Sequence, residues 1–306
     1  MHKKLSKLLI LIILISISAC SNEIIETRNS DEVCEEYEAP DTKDADTDDQ
    51  RDDEQDQNSE EKNFKLFIAI HLEPGTGYKD GNYQERYWPI LPELIASADY
   101  YNVKLNLMFN PQWGAYILED NDKLTLVRQW EASGHELGFH HHGPNHNGSW
   151  NGYTNQEEYK LSKNYLGSID EAMTILNQLP SCGKIISSTV GPEEDVQYDL
   201  PTEIMYNTEG GSEKYDDLSS NPEEREINSQ MVWIFKHARL AALSSDINWD
   251  LSEMESLIYD GLDTNTTYGI VFHEHEYDSD PEVFNSFFQI LNENNIFPQT
   301  LPELMK

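Results

Sequence analysis

From Phe64 to the end of the 306-residue chain, short apolar runs alternate with amphipathic stretches, and this alternation limits the fold more than any other feature. Strands are predicted at 64–70, 104–109, 135–139, 184–186, 203–206, 231–235 and 268–272. Helices fall between them, near 92–101 with Leu94, Ile95 and Ala98 on one face, near 122–132 with Leu124, Val127 and Trp130 inward, and near 250–260. Gly134 suits the end of the second of these. Thr154-x-x-Glu157 has capping-box spacing and reads as the start of a long helix carrying Leu161, Tyr165, Ile169, Met173 and Leu176. Asp280-Pro281 opens a last helix with Phe284, Phe287, Phe288 and Leu291 on its apolar face. The polar stretch 209–225 reads as an insertion. Strand and helix alternating this often predict an α/β fold over 63–306, with a parallel sheet closed or nearly closed into a barrel and its chemistry at the C-terminal strand ends.

Three pairs of ligand-type residues follow apolar runs with one spacing: His71-x-Glu73 after FKLFIAI, His140-x-His142 after HELGF, and His273-x-His275 after YGIVF. Side chains at i and i+2 of an extended strand point to one side, so each pair offers two such groups to the same face. Eight of the ten histidines lie in or beside these segments, and only His2 and His237 stand apart. Strand ends carrying His and Glu that converge on one point are what a metal-dependent hydrolase requires. His135 reads as a structural residue packing beneath such a site, and His141 as pointing away from its neighbours. His237 and Glu136 carry no reading beyond core or surface. Trp113, Trp150 and Tyr153 lie near the predicted barrel mouth and are candidates for stacking on sugar rings.

The N-terminus has the form of an export signal: Lys3, Lys4 and Lys7 precede a Leu/Ile-rich stretch that closes at Ile17-Ser18-Ala19-Cys20. That tetrapeptide resembles the bacterial lipobox, which implies cleavage before Cys20, acylation there, and an extracytoplasmic protein held to a membrane by lipid. Residues 21–62 hold 18 Asp/Glu against 4 Lys/Arg and almost no aliphatic residues after Ile25. Such a segment buries too little apolar surface to offset ordering and reads as a disordered tether. The remaining residues, 63–306, are acidic too, with 39 Asp/Glu against 14 Lys/Arg. Nucleic acid is therefore excluded as a partner, since phosphate contact needs a basic surface. Cys34 and Cys182 are left to pair in an oxidising compartment, although the position of Cys34 in the tether argues against it.

Around Gly134 the segment GHELGFHHHGPNH lacks the second histidine of the zincin pattern, and no nucleophile elbow, P-loop or dinucleotide-binding glycine pattern occurs. GHELGFH does resemble the second motif of the polysaccharide deacetylases, the NodB-homology carbohydrate esterases. IAIHLEPG stands where that family has its first strand and paired aspartates, Gly191-Pro192 resembles its third motif, GIVFHEH its last, and FPQTLPELM its closing strand and helix. The resemblance spans most of 64–306 and implies an incomplete (β/α) barrel of the NodB-like type. It further implies a metal-dependent hydrolase, with zinc as the expected ion, that removes N-acetyl or related groups from a polysaccharide or amino sugar.

Carried onto this chain, the resemblance assigns the metal to Glu73 and two of His140, His142 and His146, the general base to His71, and the proton donor to His273 or His275. His71 and Glu73 replace the family's two aspartates, and Ser188 and Thr189 stand beside Gly191 where the family has an arginine. Two other readings stay open. One is a carbohydrate-binding barrel that no longer turns over. The other is a glycosidase on the same scaffold using Glu73 with Glu274 or Glu276, although alternation turns Glu274 away from His273 and His275.

Overall fold

Apolar side chains on both faces of each central strand dictate a sheet covered on both sides, and here the sheet meets that need by closing on itself. The strands of the computed structural model are β1 (Lys65–His71), β2 (Asn106–Phe109), β3 (Glu136–His142), β4 (Ser187–Gly191), β5 (Tyr206–Gly210), β6 (Glu223–Ile227), β7 (Gln230–Leu240), β8 (Asn248–Trp249) and β9 (Thr267–His273). It describes residues 64–75, 82–146, 150–210 and 214–306. Neighbours run parallel in the order β5, β4, β3, β2, β1, β9, β7, and β7 pairs in parallel with β5 to complete a seven-stranded ring. The join is uneven: β1 and β9 pair along seven residues, whereas β7 meets β9 only at Ala238 and Arg239. Strand β6 lies antiparallel on the outer side of β7.

The nine helices among the described residues are α1 (Tyr83–Tyr87), α2 (Ile90–Tyr100), α3 (Pro111–Leu118), α4 (Asn121–Ala132), α5 (Ile169–Leu176), α6 (Glu193–Asp199), α7 (Leu251–Asp260), α8 (Glu274–Ser279) and α9 (Pro281–Glu293). None of the described helices is long and apolar enough to cross a membrane. Two cores result from strand alternation. Leu66, Ile68 and Ile70 of β1 and Leu137 and Phe139 of β3 face the helices, in the large cluster that includes Leu94, Val127, Phe284 and Phe288. Phe67, Ala69, Met108, Phe235, Val271 and Leu301 fill the barrel interior below its mouth. Gly138 permits this filling, because a Cβ there would overlap Met108 Sδ.

Several elements differ from the sequence reading. No long helix starts at Thr154: its hydroxyl donates to Asp199 at 2.9 Å, the Asn155 amide does so at 2.7 Å, and Leu161 is 97 % exposed. The capping box forms instead between Ser168 and Glu171, at the start of the shorter α5. Strand β3 runs on through His142, past the expected loop start at His140, and β7 extends five residues beyond Phe235. The closing FPQTLPELM contains no strand: Leu301 plugs the barrel floor, its amide donating to Asn106 Oδ1, and a single 3₁₀ turn follows at Glu303–Met305. Gly134 does end α4, with φ of 95°. Cys182 is exposed and disulfide-bonded. The segment expected to be an export signal, Cys20, Cys34 and the acidic stretch 21–62 lie outside the described residues.

Candidate metal centre

The C-terminal ends of β1, β3, β7 and β9 open into a cavity of roughly 930 Å³ lined by His71, Glu73, His140, His142, His146, His237, His273 and His275, among others. Alternation puts His71 directly above Ala69 and Phe67, His140 and His142 above Gly138, and His273 above Val271. Four different strand ends, with His237 supplied by β7, thus deliver imidazoles to one place.

Glu73, His140 and His142 each offer a ligand atom within 4.8 Å of the others, a group able to hold a metal ion. The second contacts of these residues fit that use. His140 Nδ1 lies 3.2 Å from the carbonyl of Leu72, to which its N–H donates, so the lone pair is left on Nε2, and that buried atom has no partner. His142 Nδ1 is also buried without a hydrogen bond and stands 3.6 Å from Glu73 Oε2. Leaving such atoms unpaired is costly unless something is coordinated there. Burial lowers His140 to about 4, and burial with the neighbouring His140 imidazole lowers His142 well below its ordinary value, so both rings favour the neutral form that can ligate. Burial raises Glu73, but His142, His273 and His140 outweigh it and hold the carboxyl far below its ordinary range. His146 lies flat on His142, the ring centroids 3.9 Å apart, and is not within the triad.

The last motif breaks from the expected strand geometry. β9 ends at His273, which begins α8, so Glu274 and His275 are helical. Glu274 is fully buried, and its carboxylate accepts from the Glu73 amide at 3.1 Å and from Tyr83. Burial pushes Glu274 up to about 8. It supports the backbone at Glu73 rather than lining the cavity. Glu276 is the residue that turns back: its Oε2 accepts from the His273 amide and from Nδ1, both at 2.8 Å, while Arg239 donates to its Oε1 at 2.6 Å. His273 Nε2 in turn lies 3.2 Å from Glu73 Oε1. Burial opposes a charge on His273, but the bonds to Glu276 and Glu73 outweigh it and raise the ring to about 9. His275 packs against His273 and Tyr87, with ring centroids 5.1 and 6.5 Å away, and its buried Nδ1 has no hydrogen-bond partner.

His71 packs against His140, His237 and His273 with ring centroids 4.4, 5.3 and 5.4 Å away, and its Nε2 is unpartnered. His237, read from the sequence as core or surface, belongs to this cavity, and so does Arg239. Both lie inward on the part of β7 beyond Phe235. Counting Phe235, His237, Arg239 at a period of two would have found them once the strand was extended.

The three aromatic residues expected to stack on sugar are engaged elsewhere. Trp113 is 0 % exposed and its Nε1 donates to the Glu73 carbonyl at 2.9 Å, so it holds Glu73 from beneath. Trp150 Nε1 donates to the Tyr153 carbonyl at 2.9 Å, and Tyr153 packs against the helical core. None of the three lines the cavity. His135 is structural, its Nδ1 accepting from the Leu105 amide and its Nε2 facing Asp99. His141 faces outward from the barrel and is fixed by Asp199 at 3.1 Å and Asn151 at 3.2 Å.

No protein-family profile matches the sequence, and no curated protein is similar to it. Among solved structures, the chain is similar to a putative polysaccharide deacetylase from Mycobacterium smegmatis, with a TM-score of 0.50 and 10 % identity over 79 % of this chain and 89 % of that one. The fold is the incomplete (β/α) barrel of the NodB-like deacetylase type. It is also similar to the 4-alpha-glucanotransferase from Thermococcus litoralis, with a TM-score of 0.52 and 13 % identity over 79 % of this chain, which spans 40 % of that enzyme. At these identities the likeness concerns architecture. What the barrel does has to be argued from its own residues.

Proposed function

We propose that this protein is a metal-dependent hydrolase that removes N-acetyl or related groups from a polysaccharide or amino sugar, outside the cytoplasm and lipid-anchored through Cys20. The observation that carries the reading is the Glu73, His140 and His142 triad at the barrel mouth, with buried ring nitrogens on His140 and His142 that nothing else engages. The deacetylase named for the neighbouring structure has the same barrel. Zinc suits two imidazoles and a carboxylate that leave a position open. When bound, such an ion polarises the amide carbonyl and acidifies water.

The chain's own residues supply the rest. His71 sits at the cavity floor with Nε2 unpartnered and accepts the proton of the attacking water. His273, oriented through Nδ1 by Glu276 and Arg239, delivers a proton to the departing amine from Nε2. That orientation favours His273 over His275. Water and amide thereby become acetate and amine. Glu274 is occupied by the Glu73 amide, and Glu276 by Arg239 and His273, so neither is free to act with Glu73 across a glycosidic bond.

The test is to incubate purified protein with acetylated glycans, assay released acetate and reducing ends, and measure its metal content. Acetate without reducing ends, about one divalent ion per chain, and loss of both on Glu73→Ala or His140→Ala are expected. Reducing ends alone would make it a glycosidase. Binding with no product of either kind would make it a sugar-binding barrel, and a protein that takes up no ion at micromolar zinc would end the metal reading.

A further inference from the structure

Strand alternation turns His141 outward between His140 and His142, so a hold on its ring is a hold on the backbone that carries both. Asp199, the last residue of α6, provides that hold: both residues are fully buried, and His141 Nε2 lies 3.1 Å from Asp199 Oδ2. The other ring nitrogen, Nδ1, lies 3.2 Å from Asn151 Nδ2. The Tyr153 amide donates to Asn151 Oδ1 at 3.2 Å, which turns Asn151 Nδ2 toward the ring. His141 Nδ1 therefore accepts, and Nε2 carries the proton given to Asp199. The backbone amide of Asn151 in turn donates to the His142 carbonyl at 3.0 Å. Asp199 thus reaches the peptide group of His142 through His141 and Asn151.

Neither carboxyl oxygen of Asp199 is spare. Thr154 Oγ1 lies 2.9 Å from each, and the Asn155 amide donates to Oδ1 at 2.7 Å. Asp195, one turn earlier in α6 and also fully buried, accepts from the Asn145 amide at 3.3 Å and from Asn145 Nδ2 at 2.8 Å. Gly143 permits that approach, because a Cβ there would overlap the Asp195 carboxyl. His142 is thereby set between a residue bonded to Asp199 and a turn bonded to Asp195. Groups that fix the ligands of a metal from behind are worth about 10- to 100-fold in affinity for it.

We propose that Asp199 is a positioning residue for the metal centre, fixing through His141 and Asn151 the end of β3 from which His140 and His142 turn inward. The inference rests on the reading of Glu73, His140 and His142 as metal ligands. It makes the two buried carboxyls of α6 a support for the ligands rather than a fastening for the loop alone.

Titration of the chelator-stripped full chain with cobalt(II), followed by the visible absorption of the bound ion, tests it. Asn151→Ala removes the side-chain link but keeps the backbone amide that His142 uses. Asp199→Asn sets an amide N–H₂ against either His141 Nε2–H or the Asn155 amide. Each variant is expected to bind cobalt about 10- to 100-fold more weakly than the parent and to shift its visible band. The double variant should lose no more than about twofold beyond the more weakly binding single one, because both changes cut one chain of contacts. Val127→Ala opens a cavity in the helical core at α4 and should lower stability while leaving cobalt affinity within about twofold. Unchanged affinity and band in Asn151→Ala, losses that multiply in the double variant, or an equal loss of affinity in Val127→Ala overturns the positioning role. If Asp199→Asn does not fold, Asn151→Ala decides alone. A parent that binds no cobalt would refute the metal reading and the role with it, whereas a parent that binds it no better than Asn151→Ala would refute the role only.

Discussion

Replacing Glu136 with Gln is expected to stabilise the protein in a strongly pH-dependent way. Glu136 begins β3 at the barrel floor, mostly buried, with Ser187 Oγ donating to its Oε1 at 2.9 Å. Burial pushes its carboxyl from 4.5 up to about 7, and the neighbouring Glu131 and Glu303 add to the rise, against the opposing bond from Ser187. The charged form is therefore disfavoured in the folded state relative to the unfolded chain. Below pH 4.5 the group is protonated in both states and costs nothing. Between pH 4.5 and about 7 the unfolded chain gives up the proton while the folded protein keeps it, so at 1.36 kcal/mol for each pH unit the loss reaches about 3 kcal/mol and stays there at pH 8. Glutamine keeps the oxygen that Ser187 bonds but cannot ionise. The variant should thus exceed the parent by about 3 kcal/mol at pH 8 and by less than about 1 kcal/mol at pH 5. Urea denaturation of both proteins at the two pH values measures this, and taking the difference removes the slopes that all other carboxylates contribute equally. A difference that does not change with pH, or a variant less stable than the parent at pH 8, would refute the account of this carboxyl.

Three further outcomes are expected. His273→Gln should lower turnover by roughly two to four powers of ten while metal content stays intact, and Glu276→Gln should do the same to a lesser degree; retained activity in both would remove the proton-donor role. Trp113→Phe keeps most of the packing but leaves the buried Glu73 carbonyl without its donor, which should cost about 1–3 kcal/mol in thermal or urea unfolding and weaken metal retention on dialysis. Cys20→Ser should move the protein from the membrane fraction to the soluble one, and continued sedimentation with membranes would refute lipid anchoring.

The barrel was legible in the sequence because its signals are local. Alternation at a period of two places His71 above Ala69 and His140 above Gly138, and those relations survive whatever the strands pack against. The caps at Gly134 and Asp280-Pro281 were equally local, and they hold. The helix expected from Thr154 was lost to a partner 45 residues away, since Thr154 and Asn155 bond Asp199 rather than closing a helical turn. His237 and Arg239 were missed because nothing in the residues after Phe235 tells how far β7 continues; its length is fixed by pairing with β5, β8 and β9. Trp113 looked like a sugar platform by its place near a loop, and only the tertiary structure turns its N–H beneath Glu73.

By itself, then, the sequence determined which residue types reach the barrel mouth, through strand period and the clustering of histidines after apolar runs. Which of them meet was decided by the ring. Closing seven strands brings β1, β3 and β9 within one cavity and selects His142 over His146 beside Glu73. The turn from β9 into α8 sends Glu274 to the Glu73 backbone and Glu276 to His273. Those contacts join residues as many as 201 positions apart, and no spacing along the chain encodes them.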